Sequence, residues 1–403
     1  MASGMLAQRR FRMARLPAAV APLLVAAVVA GCGQGGASPA DTPTPQPTAA
    51  LLPASAALPP EDRQAREIDL PDGFTAYVIA EGFQQPTSVA LGPDGSLYVS
   101  QRGGPVFRLE DGNGDGFFEK AVPYTSGISG VHGFTFGPGG ALYVSNVGRV
   151  TVARDTDGDT VTDQAADVIQ GLPHGRHENN GIVFGPDGKL YITNGSTMND
   201  GEGVEADERS ATILQANPDG SGLRVYARGL RNPYDLTFDP QGRLWATDNG
   251  SDPPCNTIDE LNLVIDGGDY GWPYGPTCDS FNQPSMNGSG LGAGSAPIPP
   301  VGDLGFNTAS TGIAYYGAPQ FPADFRGSFF ITLWGSLDTA PVPGGRVLVR
   351  AVVDETPQGP RATVEEFGTG FFRPVDVVVD TDGTLLVLDF GSGLLYRIIY
   401  TGA

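Results

Sequence analysis

The sequence predicts an all-β fold, a six-bladed β-propeller, on three observations. A strand–turn–strand pattern recurs between residues 86 and 389, as in "PTSVALGPDGSLYVSQ" and "NNGIVFGPDGKLYITN". Leu91, Phe136, Phe184 and Phe238 hold equivalent places in successive copies, at steps of 45, 48 and 54 residues. That step is the length of a four-stranded propeller blade. No amphipathic helical period persists anywhere from 66 to 403. A hairpin cannot bury both of its faces alone, whereas a ring of stacked blades can, and closing the ring shortens the exposed edges. A β-sandwich or a β-helix is the competing architecture, but neither naturally spaces strand pairs so widely.

Residues 1–31 read as an export signal. Arg9, Arg10, Arg12 and Arg15 precede the apolar run "LPAAVAPLLVAAVVA", which leads to "VAGC". The run contains Pro17 and Pro22 and is shorter than the ~20 unbroken apolar residues of a membrane span. The arginine pair lacks the twin-arginine spacing to the following phenylalanine, which favours the general secretion route. "VAGC" resembles the bacterial lipobox, in which the cysteine, here Cys32, is lipidated and becomes the mature N-terminus. Residues 32–65 are rich in Pro, Ala and Thr, with too little apolar bulk to offset the entropy of ordering them. They are expected to tether a folded domain, 66–403, to the outer face of a membrane, at the cell surface or in the periplasm.

Lys and Arg number 24 against 45 Asp and Glu. Nucleic acid is therefore excluded as a partner, because phosphate binding needs clustered positive charge. Anionic lipid would not hold the domain electrostatically either, so membrane contact is expected through the anchor alone. Cys255 and Cys278 would lie on the exported, oxidising side and are expected to form one disulfide.

Along the chain, "FTAYVIAE" is expected to complete the last blade beside "LLYRIIY". Copies of the hairpin start at 86, 131, 179, 233 and 374, and a variant with a longer connection starts at 310, giving six units. Where the turn reads Gly-Pro-Asp-Gly, Pro fixes one central residue and Gly permits the tight return. Between hairpins, "DGNGDGFFE" sets Asp111, Asn113, Asp115 and Glu119 around a sharp bend at Gly116, as in the first half of a calcium loop. Its twelfth position is Val122, so the bidentate glutamate of an EF-hand is missing. "DTDGDTVTD" offers Asp155, Asp157, Asp159 and Asp163, with Thr160 where glycine would ease the bend. Both are candidate structural calcium sites, and plain acidic turns are the alternative.

The chain has three histidines, and two of them, His174 and His177, fall in "GLPHGRHENN" just before a strand. Histidine at the entrance of a propeller strand suits a general base, since its pKa lies near neutrality. A surface or structurally bonded histidine is the competing reading. The Gly/Pro/Asn-rich insertion from 249 to 309 places Asp259 and Glu260 beside Tyr270, Trp272 and Tyr274; its carboxylates and carbonyls would suit a hard cation, and a solvated acidic turn beside a hydrophobic plug is the alternative.

At these residues the chain resembles the glucose/sorbosone dehydrogenase family, propeller enzymes that use pyrroloquinoline quinone (PQQ) and calcium. The motifs that carry the resemblance are "LPHGRHENNGIVFGPDG", "GLRNPYDLTF", "DELNLVIDGGDYGWP", "PQFPADFRGSFFITLWGS" and "RPVDVVVDTDG", spread over most of 70–400, and the third and fourth are similar to the sorbosone branch. The resemblance implies that His177 is the catalytic base and His174 is not. It implies that Arg231 and Asn232 contact the quinone and that Arg373 faces one of its carboxylates. It further implies that the main-chain carbonyls of Gly250 and Ser251 hold the cofactor's calcium, and that Asp259, Glu260 and Tyr270 form a second, structural calcium site. His177 would take the proton of a sugar hydroxyl or hydrated aldehyde as hydride passes to the quinone, and the electrons would leave to an acceptor the sequence does not name.

Four positions depart from the glucose-oxidising pattern. Arg176 stands where an acid would precede the base, Ile128 replaces a glutamine, Trp334 a lysine or histidine, and Val375 a second arginine. Two further functions stay open: a calcium-dependent propeller hydrolase, such as a lactonase, and a non-catalytic propeller that binds carbohydrate or protein at its mouth.

Overall fold

The computed structural model describes residues 58–199, 207–251, 257–272, 297–336 and 345–402. Cys32, Cys255 and Cys278 lie outside the described residues, as does the export signal. Within them, no helix is long and apolar enough to cross a membrane.

Six four-stranded antiparallel sheets form the fold. The first holds β2 (Pro86–Leu91), β3 (Leu97–Gln101), β4 (Val106–Glu110) and β5 (Lys120–Pro123). The second holds β6 (Val131–Phe136), β7 (Leu142–Asn146), β8 (Arg149–Arg154) and β9 (Gln164–Gln170). The third holds β10 (Asn179–Phe184), β11 (Leu190–Asn194), β12 (Thr212–Ala216) and β13 (Arg224–Arg228). The fourth holds β14 (Pro233–Phe238), β15 (Leu244–Asp248), β16 (Ile258–Val264) and β17 (Gly302–Phe306). The fifth holds β18 (Ser310–Tyr316), β19 (Ser328–Leu333), β20 (Val347–Thr356) and β21 (Gly359–Gly368). The sixth runs β22 (Pro374–Val379), β23 (Leu385–Asp389) and β24 (Leu394–Tyr400) and ends on β1 (Phe74–Ala80). The N-terminal strand therefore closes the ring, with Phe74 opposite Tyr400. The first strands of the six blades pack in order, and β22 returns to β2. This is the six-bladed propeller expected from the repeat. The packed part begins slightly before residue 66, since Ala65 is buried in a core cluster with Phe321 and Phe367.

Each junction between blades has its own apolar cluster, and the repeat explains why. The tyrosine of the second strand packs on the phenylalanine that ends the next blade's first strand: Tyr98 on Phe136, Tyr143 on Phe184 and Tyr191 on Phe238, with ring centroids 4.8, 4.9 and 5.1 Å apart. The spacing that marked the repeat in the sequence is thus the spacing of an interblade contact.

At the axis, every first strand shifts register near its third residue. Two of those third residues are aspartates that reach across to the next blade. Asp235 accepts the main-chain N–H of Ile313 (3.1 Å), and Asp376 accepts that of Val89 (2.8 Å), tying the last blade to the first. The approach is close enough to require glycine alongside. A Cβ on Gly312 would lie 2.5 Å from Asp376 Oδ1, and one on Gly181 2.7 Å from Asp235 Oδ1.

Candidate active site

Strands alternate in direction within a blade, so connections into a first strand and those between second and third strands share one face of the ring. That face carries a cavity of about 310 Å³, at the lower end of small-molecule sites. Residues from all six blades meet there.

His177 lines this cavity. Its loop is zipped to the segment after β11: Arg176 N–H donates to Thr197 O (3.1 Å), His177 N–H to Ser196 O (3.2 Å) and Gly195 N–H to Glu178 O (2.9 Å). The ring Nδ1 is also 2.9 Å from Ser196 O. A carbonyl can only accept, so Nδ1 carries the hydrogen and the neutral ring keeps its lone pair on Nε2. A backbone carbonyl thereby orients the imidazole, where the resemblance implies an acid at Arg176. Ser196 is itself braced, since its N–H donates to Arg231 O (2.7 Å) and its Oγ accepts from Trp272 Nε1 (3.1 Å). His174 is exposed, beside the turn at Gly148, and does not line the cavity.

Arg231 is buried and does not line the cavity. Its guanidinium donates to Asn199 O (3.0 Å), Asn199 Oδ1 (2.8 Å) and Gly250 O (2.6 Å). Asn232 does line the cavity, and its Oδ1 accepts from Asn180 (3.1 Å). The main-chain N–H groups of Arg231 and Asn232 both end on Asp248, at 3.0 and 2.7 Å. Arg373 lies over Trp334, with Cζ 3.8 Å from the ring centroid, and does not line the cavity. Of the departures, Trp334, Val375 and Arg176 line the cavity, whereas Ile128 is buried in the cluster between the first two blades.

The candidate metal residues fall in two regions. Gly250 O accepts from Arg231 and Ser251 O from Thr257 N–H (3.2 Å). Asp259 and Glu260 are neighbours on a strand and so face opposite ways. Asp259 accepts from Gly250 N–H (2.9 Å), Ser310 N–H (2.8 Å) and Thr308 Oγ1 (3.0 Å). Glu260 pairs across the sheet with Asp248 and accepts from Asn262 (3.1 Å). Burial raises the carboxyls of Asp248, Asp259 and Glu260 to about 7, 6 and 8. The hydroxyl of Tyr270 donates to Leu263 O (2.6 Å), inside the core. Asp259, Glu260 and Tyr270 thus each hydrogen-bond to different partners.

The other region is the opposite face of the ring, which carries the third-to-fourth strand connections. There the carboxylates of Asp111, Asp115 and Glu119 lie within 4.8 Å of one another, and so do those of Asp155, Asp157 and Asp159. Asn113 donates to Asp115 (3.0 Å). Asp163 stands apart from the second group and accepts from Thr156 (2.7 Å). Thr160 takes φ +70°, the left-handed conformation that glycine would adopt without strain.

Three cavity residues had no signal in the sequence strong enough to assign them a role. Glu178 Oε1 stands 3.0 Å from His132 Nε2 and 4.0 Å from Arg102. His132 holds the Glu178 carboxyl below the usual range. The three come from different blades, so no local motif announces them.

The fold and the site together define a propeller with a histidine at the mouth of its channel, set among cations and aromatic side chains. The chain belongs to the family described as "Domain of unknown function (DUF7133)", which matches residues 61–397. It is similar to quinoprotein glucose dehydrogenase B of Acinetobacter calcoaceticus, 27% identical over an alignment of 259 residues, with 50% of this chain and 53% of that protein covered. An uncharacterized protein of Borreliella burgdorferi is 26% identical over 208 residues, 48% of this chain and 53% of that protein. The chain spans about half the length of the curated relatives it matches. Its fold is similar to the holo form of the pyranose dehydrogenase PQQ domain from Coprinopsis cinerea, with TM-score 0.67 and 18% identity over 85% of this chain and 98% of that one. It is also similar to the PQQ-bound aldose sugar dehydrogenase of Streptomyces coelicolor, with TM-score 0.60 and 23% identity over 82% of this chain and 100% of that one.

Proposed function

We propose that this protein is a PQQ- and calcium-dependent dehydrogenase that oxidises an aldose sugar or a related, sorbosone-like aldehyde outside the cytoplasm, anchored through Cys32. The observation that carries this reading is His177 on the cavity wall with its Nδ1 committed to Ser196 O. The similarity to quinoprotein glucose dehydrogenase B supports it.

The cavity suits the cofactor. PQQ is a planar tricarboxylate, and Arg102 and Arg176 lie on the wall with the aromatic residues Trp334 and Phe390. The carboxylate of Glu178, which would repel an anion, is already matched by His132 and Arg102. When bound, the quinone supplies a two-electron acceptor for hydride, and calcium polarises its carbonyl. The protein's part is to hold and align. Arg102, Arg176 and Asn232 would bind the cofactor's polar edge, and the carbonyls of Gly250 and Ser251, each already accepting one hydrogen bond, would offer their second lone pairs to its calcium. His177 Nε2 would accept the proton of the substrate hydroxyl, and the Ser196 carbonyl would steady the imidazolium that forms. The acidic loops at Asp111 and Asp155 would take structural calcium, and Cys255 would pair with Cys278.

The test is reconstitution of purified apoprotein with PQQ and calcium, followed by dye reduction with a panel of aldoses and aldehydes. Sugar-dependent reduction that needs both additions supports the reading. Failure of the quinone to bind rejects it, and lactone hydrolysis without quinone would mark the protein as a hydrolase instead.

A further inference from the structure

We propose that Trp334 is the platform on which the planar ligand of the mouth stacks, and that Arg373 acts by holding this indole rather than by touching the ligand. The inference rests on the quinone reading above and departs from the role that family resemblance gives Arg373.

Trp334 forms part of the cavity wall and Arg373 does not. The guanidinium carbon of Arg373 lies 3.8 Å from the indole centroid, the separation of two stacked planar groups. The Arg373 Nη1 donates to the carbonyl of Gly335, the residue after Trp334 (3.2 Å). Trp334 N–H donates to Ala309 O (2.9 Å), fixing the backbone under the ring. Phe390 meets the indole at 5.7 Å and 67°, and the Phe390 N–H returns to Arg373 O (2.8 Å). The indole is therefore held through its backbone, by a cation stacked on the ring and by a second aromatic ring, while it still reaches the cavity. Residues 309, 375 and 390 beside it carry Ala, Val and Phe, so this part of the wall offers an apolar surface. The cations Arg102 and Arg176 line the same cavity and would meet the ligand's charge from the cavity side. A flat ring with acidic edges matches such a divided pocket. Arg373 is a positioning residue in this arrangement, because its planar fork and charge stiffen the platform.

The experiment is a double-mutant cycle on the full chain, with the dissociation constant of PQQ in the presence of calcium read by titration calorimetry. Trp334→Leu should weaken binding by about tenfold or more, and Trp334→Phe should keep most of it, on the scale of aromatic stacking. Arg373→Gln, which keeps a planar group over the ring without the charge, should cost only a few-fold by the same cation–aromatic scale. In the Trp334→Leu background it should cost nothing further. Thermal melting identifies any variant that fails to fold, and Trp334→Met replaces the leucine variant in that case. Equal losses from Arg373→Gln in both backgrounds, or unchanged binding in Trp334→Leu, would overturn the inference and return Arg373 to direct carboxylate contact. If the unmodified protein binds no PQQ, the quinone reading fails and this inference fails with it.

Discussion

At the scale of single residues, the site turns on which nitrogen of His177 carries its hydrogen. Ser196 O can only accept, so the tautomer follows from one carbonyl. Arg176, where the resemblance implies an acid, turns its side chain toward Asn199. Its Nε donates to Asn199 Oδ1 (3.0 Å), the same oxygen that Arg231 uses. His177→Ala should lower kcat by about 10²- to 10⁴-fold, the usual worth of a general base, while calorimetry still finds the quinone bound. His174→Ala should leave kcat/KM unchanged, because that ring is exposed and off the cavity. In the sequence, only the family resemblance distinguished these two histidines. Glu178, His132 and Arg102 were not legible as a group, since they meet only when three blades stack.

At the scale of elements, periodicity was legible wherever it had a packing cause. The phenylalanines that marked the repeat are the ones that meet the preceding blade's tyrosines. Adjacency was a poorer guide at Asp259 and Glu260. They sit next to each other in the chain, but "IDELNLV" is strand β16, and alternation sends them to opposite faces. The axial clamps give a direct test of this level. Gly312→Ala would press a methyl group against Asp376 and should lower stability by about 1–3 kcal/mol, the cost of overpacking, as measured by thermal unfolding. Thr160→Gly should act in the other direction, by about 1 kcal/mol, because it relieves a β-branched residue at φ +70°. If the loops around Asp111 and Asp155 hold calcium, EDTA should lower the melting temperature of the native protein and added calcium should restore it.

For the whole molecule, the ring is closed by carboxylates that burial makes hard to ionise. The Asp235 carboxyl is raised to about 6 by burial, and that of Asp376 is raised too, by burial and by Asp235. A raised value means that the folded state holds the proton more tightly than the unfolded chain does. The resulting stabilisation is complete below the unfolded carboxyl range near pH 4 and is lost as pH rises through about 6. Melting temperature should therefore fall from pH 4.5 to pH 7 more steeply in the native protein than in Asp235→Asn. Equal slopes would show that this pair does not govern the ring.

The same closure gives the functional account its physical basis, because it brings His177, Trp334 and Arg102 to one opening from blades far apart in sequence. The most direct measurement is a crystal structure of the protein soaked with PQQ and calcium. The account predicts the quinone in the mouth cavity, its ring against Trp334 and its reactive carbonyl carbon facing the space beside His177 Nε2. A quinone bound elsewhere on the propeller, or bound in the mouth with His177 turned away from it, would contradict the account.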